Sequence, residues 1–217
     1  PQRMNREHHR WYSPSLGRDM ELLVFGHGGA RAVVFPTSQG RFYEWEDRGM
    51  IGALAEPLRN GWLQLYCVDS VDAESWYARW KHPEDRARHQ TAYERYVLDE
   101  VLPLSRRNPN PFLIATGASF GAYHAHDMAL RHPWTFDRVL GMSGMYDIKT
   151  MTGGYGGGEV YFHDPSHYLI HEHDPRRLDR LQRLEVILAT GRDDPHRGNN
   201  EHISGVLWSK GVWNALR

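Results

Sequence analysis

The segment that most constrains this chain is residues 112–125, Phe-Leu-Ile-Ala-Thr-Gly-Ala-Ser-Phe-Gly-Ala-Tyr-His-Ala. Residues 112–116 form a continuous apolar run, the kind of strand that lies inside a parallel sheet. Gly117-x-Ser119-x-Gly121 follows. Next comes a stretch to 131 with Ala122, Ala125 and Ala129 on one helical face, stopped before Pro133. Strand, Gly-x-Ser-x-Gly and helix in that order make a nucleophile elbow. The turn is so tight that the serine adopts a strained backbone, and only very small residues fit beside it. Ser119 Oγ is then exposed at the carboxyl end of a sheet, against the N–H groups and positive dipole end of the helix. The same residues could instead make a tight turn around an inert serine, but the small-residue helix face favours the nucleophile.

The rest of the chain alternates in the same way. Residues 21–25, 31–36, 62–68, 139–142 and 184–190 read as strands, and one more begins at 212. The first two flank His27-Gly28-Gly29 and predict a hairpin. Helices are predicted over 42–58, stopped by Asn60-Gly61, from Pro83 onward, over 120–131 and over 201–209. Residues 150–158 are a Gly-rich loop, and 159–182 are His-rich and aromatic without clear periodicity. This pattern argues for one α/β domain over 1–217, with a mostly parallel sheet and helices on both faces. Residues 1–19 read as an N-terminal extension and about 150–182 as a loop-rich rim insertion.

Composition removes several function classes. Lys and Arg total 26 against 27 Asp and Glu, so no basic field points to nucleic acid. No apolar run approaches the roughly 20 residues of a membrane helix. A single cysteine, Cys67, excludes a disulfide framework and reads as a buried strand residue. Residues 1–18 are polar and basic rather than signal-like, with Met4 a plausible initiator. A cytoplasmic protein is expected. The 14 histidines, including His8-His9 and His171-Glu172-His173-Asp174, lack a zinc spacing, so no metal is expected. Residues 153–158 lack the Lys-Ser/Thr of a phosphate loop. No cofactor is implied.

A nucleophilic serine needs a base and a carboxylate to orient it, following in the order serine, acid, histidine. The loop Gly191-Arg192-Asp193-Asp194-Pro195 follows a strand and supplies the acid, Asp194, with Asp193 the alternative. Downstream histidines are His196 and His202, and neither is well spaced for a base. The oxyanion donors are the N–H of Phe120 and an N–H from the loop after 31–36: Ser38, with Thr37 or Gln39 as alternatives. Aromatic residues in loops after strands, Trp76 and Tyr155 foremost, with Tyr77, Trp80, Tyr161 and Phe162, could line a substrate rim or cover a core edge.

At this point the chain resembles the Putative esterase family of α/β-hydrolases, which includes esterase D-type, feruloyl-esterase-type and mycolyltransferase-type enzymes. The resemblance runs from about Met20 onward, through residues 33–40, 117–125, 140–144 and 188–194. It implies an α/β-hydrolase fold with Ser119 as nucleophile, Asp194 as acid, and Phe120 and Ser38 as oxyanion donors. It also implies a Gly/His loop and closing helix after the strand at 212. The chain carries neither, so the C-terminal strand-loop-helix reads as incomplete and the catalytic histidine is expected beyond Arg217. The expected activity is hydrolysis of a small-molecule carboxylic ester through an acyl-enzyme. The alternatives are an inactive binding module and an acyltransferase of the same fold. Neither nucleic acid nor membrane is expected as a partner, and a homo-oligomer is left open.

Overall fold

Three strands, β3 (Ala30–Phe35), β4 (Leu63–Val68) and β5 (Leu113–Ala118), are apolar and buried along most of their length. Strands of that kind need a cover on both faces, and they form the middle of the sheet. The computed structural model describes residues 3–217. Its eight-stranded sheet has the order β1-β2-β4-β3-β5-β6-β7-β8. The remaining strands are β1 (Arg6–Ser13), β2 (Arg18–Phe25), β6 (Arg138–Met142), β7 (Glu185–Ala189) and β8 (Asn214–Leu216). From β4 to β8 all pairings are parallel; β2 is antiparallel to both β1 and β4.

Two expectations about the N-terminal half are corrected. Residues 21–25 and 31–36 are not a hairpin: β3 sits between β4 and β5, while β2 pairs with β1 and β4. A strand buried along its length such as β3 needs neighbours on both edges, and a hairpin at the rim would leave one edge unpaired. The connecting glycines Gly26 and Gly29 take φ values of 86° and 83°, which let the chain swing away between the two strands. Of the predicted N-terminal extension 1–19, residues 1–2 lie outside the described residues, while 6–13 form β1 and 18–19 begin β2. Along β1, charged and aromatic side chains alternate between exposed and half-buried. That charged edge discourages pairing with another chain.

The predicted 42–58 helix is three short ones, α1 (Glu44–Asp47), α2 (Met50–Ala53) and α3 (Ala55–Arg59). Gly49, at φ 78°, breaks the run. Helix α4 (Pro83–Tyr96) opens with proline in its first turn and a His82 ring accepting from the Glu84 N–H at 3.1 Å. It continues through a π-helical turn, Val97–Val101, into α5 (Leu102–Ser105). Helix α6 (Phe120–Arg131) is buried from residue 120 to 130. The stretch without periodicity holds α7 (Gly158–Phe162), α8 (Pro165–Tyr168) and α9 (Pro175–Leu181), too short to display a repeat. Helix α10 (Arg197–Ser209) leads into β8. Cys67, on β4, is buried, and its burial pushes the thiol pKa well up. No helix among the described residues is long and apolar enough to cross a membrane.

Candidate active site

Every strand from β3 to β8 points the same way, so the loops after β3, β5, β6 and β7 open at one end of the sheet. The chain leaves β3 for β4 on one side and returns to β5 on the other. The crevice at such a reversal is where open α/β sheets bind ligands. Ser119 lies there. Its φ and ψ are 57° and −121°, a region that costs a non-glycine residue about 1–3 kcal/mol. The Ser119 N–H donates to the Met142 carbonyl at 2.8 Å, and its carbonyl accepts from the Ala122 N–H at 3.0 Å. Ser119 is exposed, whereas Phe120 beside it is buried. A Cβ on Gly117 would lie 2.6 Å from the Gly121 carbonyl carbon, and one on Gly121 2.6 Å from the Pro36 carbonyl oxygen. Glycine at both places lets β5 and α6 close on the β3 loop.

Phe35 pairs with Gly117, which brings residues 36–40 beside the serine. Most amides in this loop are already used. The Thr37 N–H donates to Glu44 Oε2 at 2.9 Å, Gln39 to Asp72 Oδ2 at 3.0 Å and Gly40 to the Thr37 carbonyl at 2.8 Å. Pro36 has no N–H. Among the described residues, the Ser38 N–H has no acceptor, and neither does that of Phe120. The Tyr77 hydroxyl donates to Ser38 Oγ at 2.8 Å, and its ring meets Phe120 edge-on at 5.5 Å.

Trp76 is fully buried, packed edge-on to Tyr123 and His163, so it is core and not rim. Residue 77 turns outward in its place. Tyr155 is partly exposed, with its hydroxyl donating to Glu84 Oε1 at 3.0 Å.

Asp193 and Asp194 stand in the loop after β7, at the same end of the sheet. Strand β6 links the two loops, since the Ser143 N–H donates to the Ala189 carbonyl at 2.7 Å. Asp194 is half-buried and Asp193 exposed. The His196 N–H donates to Asp194 Oδ1 at 2.8 Å and holds that carboxyl below its ordinary range, with the Ser143 hydroxyl acting in the same direction. His196 and His202 are both exposed, at the start and on the first turns of α10. Among the described residues, no histidine ring is hydrogen-bonded to Ser119 or Asp194.

Buried histidines meet carboxylates elsewhere. His124 Nε2 lies 2.8 Å from Asp72 Oδ1, and His163 Nδ1 lies 2.8 Å from Asp127 Oδ2. Burial pushes His126 down to about 4, so it is neutral. Glu94, Asp127 and His163 form a buried group that could in principle hold a metal ion. Glu94, however, is already met by His132 and by Arg131 Nε at 3.2 Å. Burial would raise the Glu94 pKa, but His132 and Arg131 outweigh it and hold it low. The arrangement is that of a structural cluster of hydrogen bonds and ion pairs around Glu94. Sequence reasoning did not single out Asp72 or His124 as part of the site. The signal available was weak: an Asp just beyond a strand, and a His one turn past the serine.

Comparisons with known proteins bear on the fold and the family. The fold matches that of a ferulic acid esterase at 15% identity and TM-score 0.78, covering 100% of this chain and 90% of that one. An S-formylglutathione hydrolase from Staphylococcus aureus matches at 14% identity and TM-score 0.73, covering 100% and 89%. The fluorophosphonate-binding serine hydrolase F of Staphylococcus aureus matches at 15% identity and TM-score 0.74, covering 99% and 89%. At such identities the likeness establishes an α/β-hydrolase-like fold. Comparison with the curated proteins gave no match. The family described as Putative esterase matches residues 62–210, from the first residues of β4's approach through α10, and this chain belongs to that family.

Proposed function

We propose that this chain is a serine hydrolase that cleaves a small carboxylic ester through an acyl-enzyme on Ser119. The observation that carries the reading is an exposed serine at φ 57°, with two amides in the adjoining segments, Phe120 and Ser38, that lack an acceptor among the described residues. Ser119 Oγ attacks the acyl carbonyl as a histidine takes its proton. The Phe120 and Ser38 N–H groups meet the developing oxyanion, an interaction worth about 2.7–4 kcal/mol per donor where one was removed from a serine enzyme. The alcohol leaves with the proton, and water resolves the ester on Ser119 by the reverse path. Asp194 is the carboxylate that orients the base. The half-buried Tyr77 ring beside Ser38 suits an apolar or aromatic acyl group.

A second reading, an inert hydrolase-fold binding module, is favoured by one observation: no histidine ring meets Ser119 or Asp194 among the described residues. A fluorophosphonate probe followed by peptide mapping separates the two. An adduct on Ser119 supports the hydrolase. Folded protein that stays unmodified, or is modified elsewhere, supports the module.

A further inference from the structure

Three elements converge on one buried histidine beneath the β3 loop. His124, on α6 five residues after the serine, is 1% exposed. Its ring stacks on Phe35 at 5.9 Å and meets Phe120 edge-on at 4.9 Å. From α4, Gln90 Nε2 donates to His124 Nδ1 at 3.1 Å, which leaves the Nε2–H to donate to Asp72 Oδ1 at 2.8 Å. Asp72, in the loop after β4, is likewise 1% exposed. Its other oxygen accepts the Gln39 N–H at 3.0 Å. Gln39 is held at φ 55°, a conformation that needs external support in a residue with a side chain. Gln39 directly follows Ser38, the proposed oxyanion donor.

Without His124 the Asp72 Oδ1 would be buried with no partner, and without Asp72 the His124 Nε2–H would be, and either is strongly unfavourable. Their pairing stretches a chain of contacts from the elbow helix to the backbone of the opposite oxyanion arm. We infer that the Asp72–His124 pair is a positioning device for ester cleavage: it fixes the Gln39 amide, and thereby aims the Ser38 N–H at the position above Ser119 where the oxyanion forms. The inference rests on the serine-hydrolase reading and deepens it. Both arms of the oxyanion site then register on a single side chain. Phe120 packs on the His124 ring, and Ser38 is tied to it through Gln39 and Asp72. Neither residue touches the reacting atoms, so their effect falls on the acylation step rather than on substrate binding.

The test combines two readouts on the whole chain: the rate of Ser119 phosphonylation by a fluorophosphonate probe at varied concentration, and amide hydrogen exchange of peptides covering 37–41. Asp72→Asn removes one of the two acceptor roles without changing volume. His124→Phe keeps the ring stacking and removes both nitrogens. His124→Gln restores a donor at similar reach. In Asp72→Asn and His124→Phe the maximal phosphonylation rate is expected to fall about 10- to 100-fold, short of the roughly 100- to 1,000-fold loss when an oxyanion donor is removed outright, with half-saturation unchanged. Exchange at 37–41 is expected to accelerate in both, while peptides of α10 keep their protection. His124→Gln recovers part of each effect. Should His124→Phe fail to fold, Asp72→Asn carries the test. Wild-type exchange at 37–41 together with wild-type phosphonylation in Asp72→Asn overturns the inference. If the unaltered protein does not label at Ser119, the hydrolase reading fails by itself. Exchange then decides whether the pair holds the loop: unchanged exchange in Asp72→Asn overturns that as well.

Discussion

At the scale of single residues, Ser119 is held against its own backbone preference. Glycine adopts φ 57° freely. Ser119→Gly should therefore abolish labelling and yet stabilise the protein. Relief of about 1–3 kcal/mol of strain exceeds the ~1 kcal/mol entropic cost of glycine. The expected gain is about 1 kcal/mol, or a rise in Tm of roughly 2–4 °C for a chain of this size, read by calorimetry. A loss of stability in that variant would mean that the hydroxyl is a structural group. The two aspartates after β7 also separate at this scale. Asp194 is half-buried and accepts the His196 N–H, whereas Asp193 faces solvent. Asp194→Asn should lower the rate of Ser119 acylation by a probe at least about 100-fold, in keeping with the large effect of removing such an acid in another serine enzyme. Asp193→Asn should stay within a few-fold. A larger effect in Asp193→Asn than in Asp194→Asn would reverse the assignment.

At the scale of elements, the tightest junction is where α6 leaves β5 beneath the β3 loop. Gly121→Ala would drive a methyl group into the carbonyls of Phe35 and Pro36. Backbone cannot rotate away as a side chain can. The variant should lose about 1–3 kcal/mol of stability, the usual range for overpacking, and should also label more slowly. Denaturant unfolding gives the first quantity and probe kinetics the second. An unperturbed protein would show that the junction has slack. This junction was the part most legible in the sequence, since its periodicity and the stop before Pro133 place α6 at 120–131, the range observed. Elements without such internal signals were misread. The run 42–58 carries apolar residues at helical spacing but breaks at Gly49. The polar alternation of β1 has no apolar face to announce a strand. The partnership of Asp72 with His124 was invisible, because it joins residues 52 positions apart that only the sheet order brings together.

At the scale of the whole molecule, the far side of α6 is tied to α4 by a buried charge cluster. Glu94 keeps its charge because His132 and Arg131 face it. A carboxylate whose folded pKa is depressed stabilises the fold fully above its unfolded value, about 4.3 for Glu. That stabilisation drains away as pH falls further. Urea midpoints measured from pH 6 down to pH 3 should fall less steeply for Glu94→Gln than for the unaltered protein. Glu94→Gln should be the less stable of the two near neutrality. A parallel pair of curves would mean that Glu94 does not contribute to acid sensitivity.

The sheet also encloses the chain's only thiol, Cys67, on β4. An alkylating reagent cannot reach that sulfur, nor find it ionised, until the central strands separate. Slow carbamidomethylation of Cys67 at neutral pH thus serves as a clock for rare excursions out of the native state, counted one molecule at a time by intact mass. Because each molecule carries a single reporter at its centre, a bound inhibitor that lengthens this clock is acting on the integrity of the whole sheet rather than on one loop.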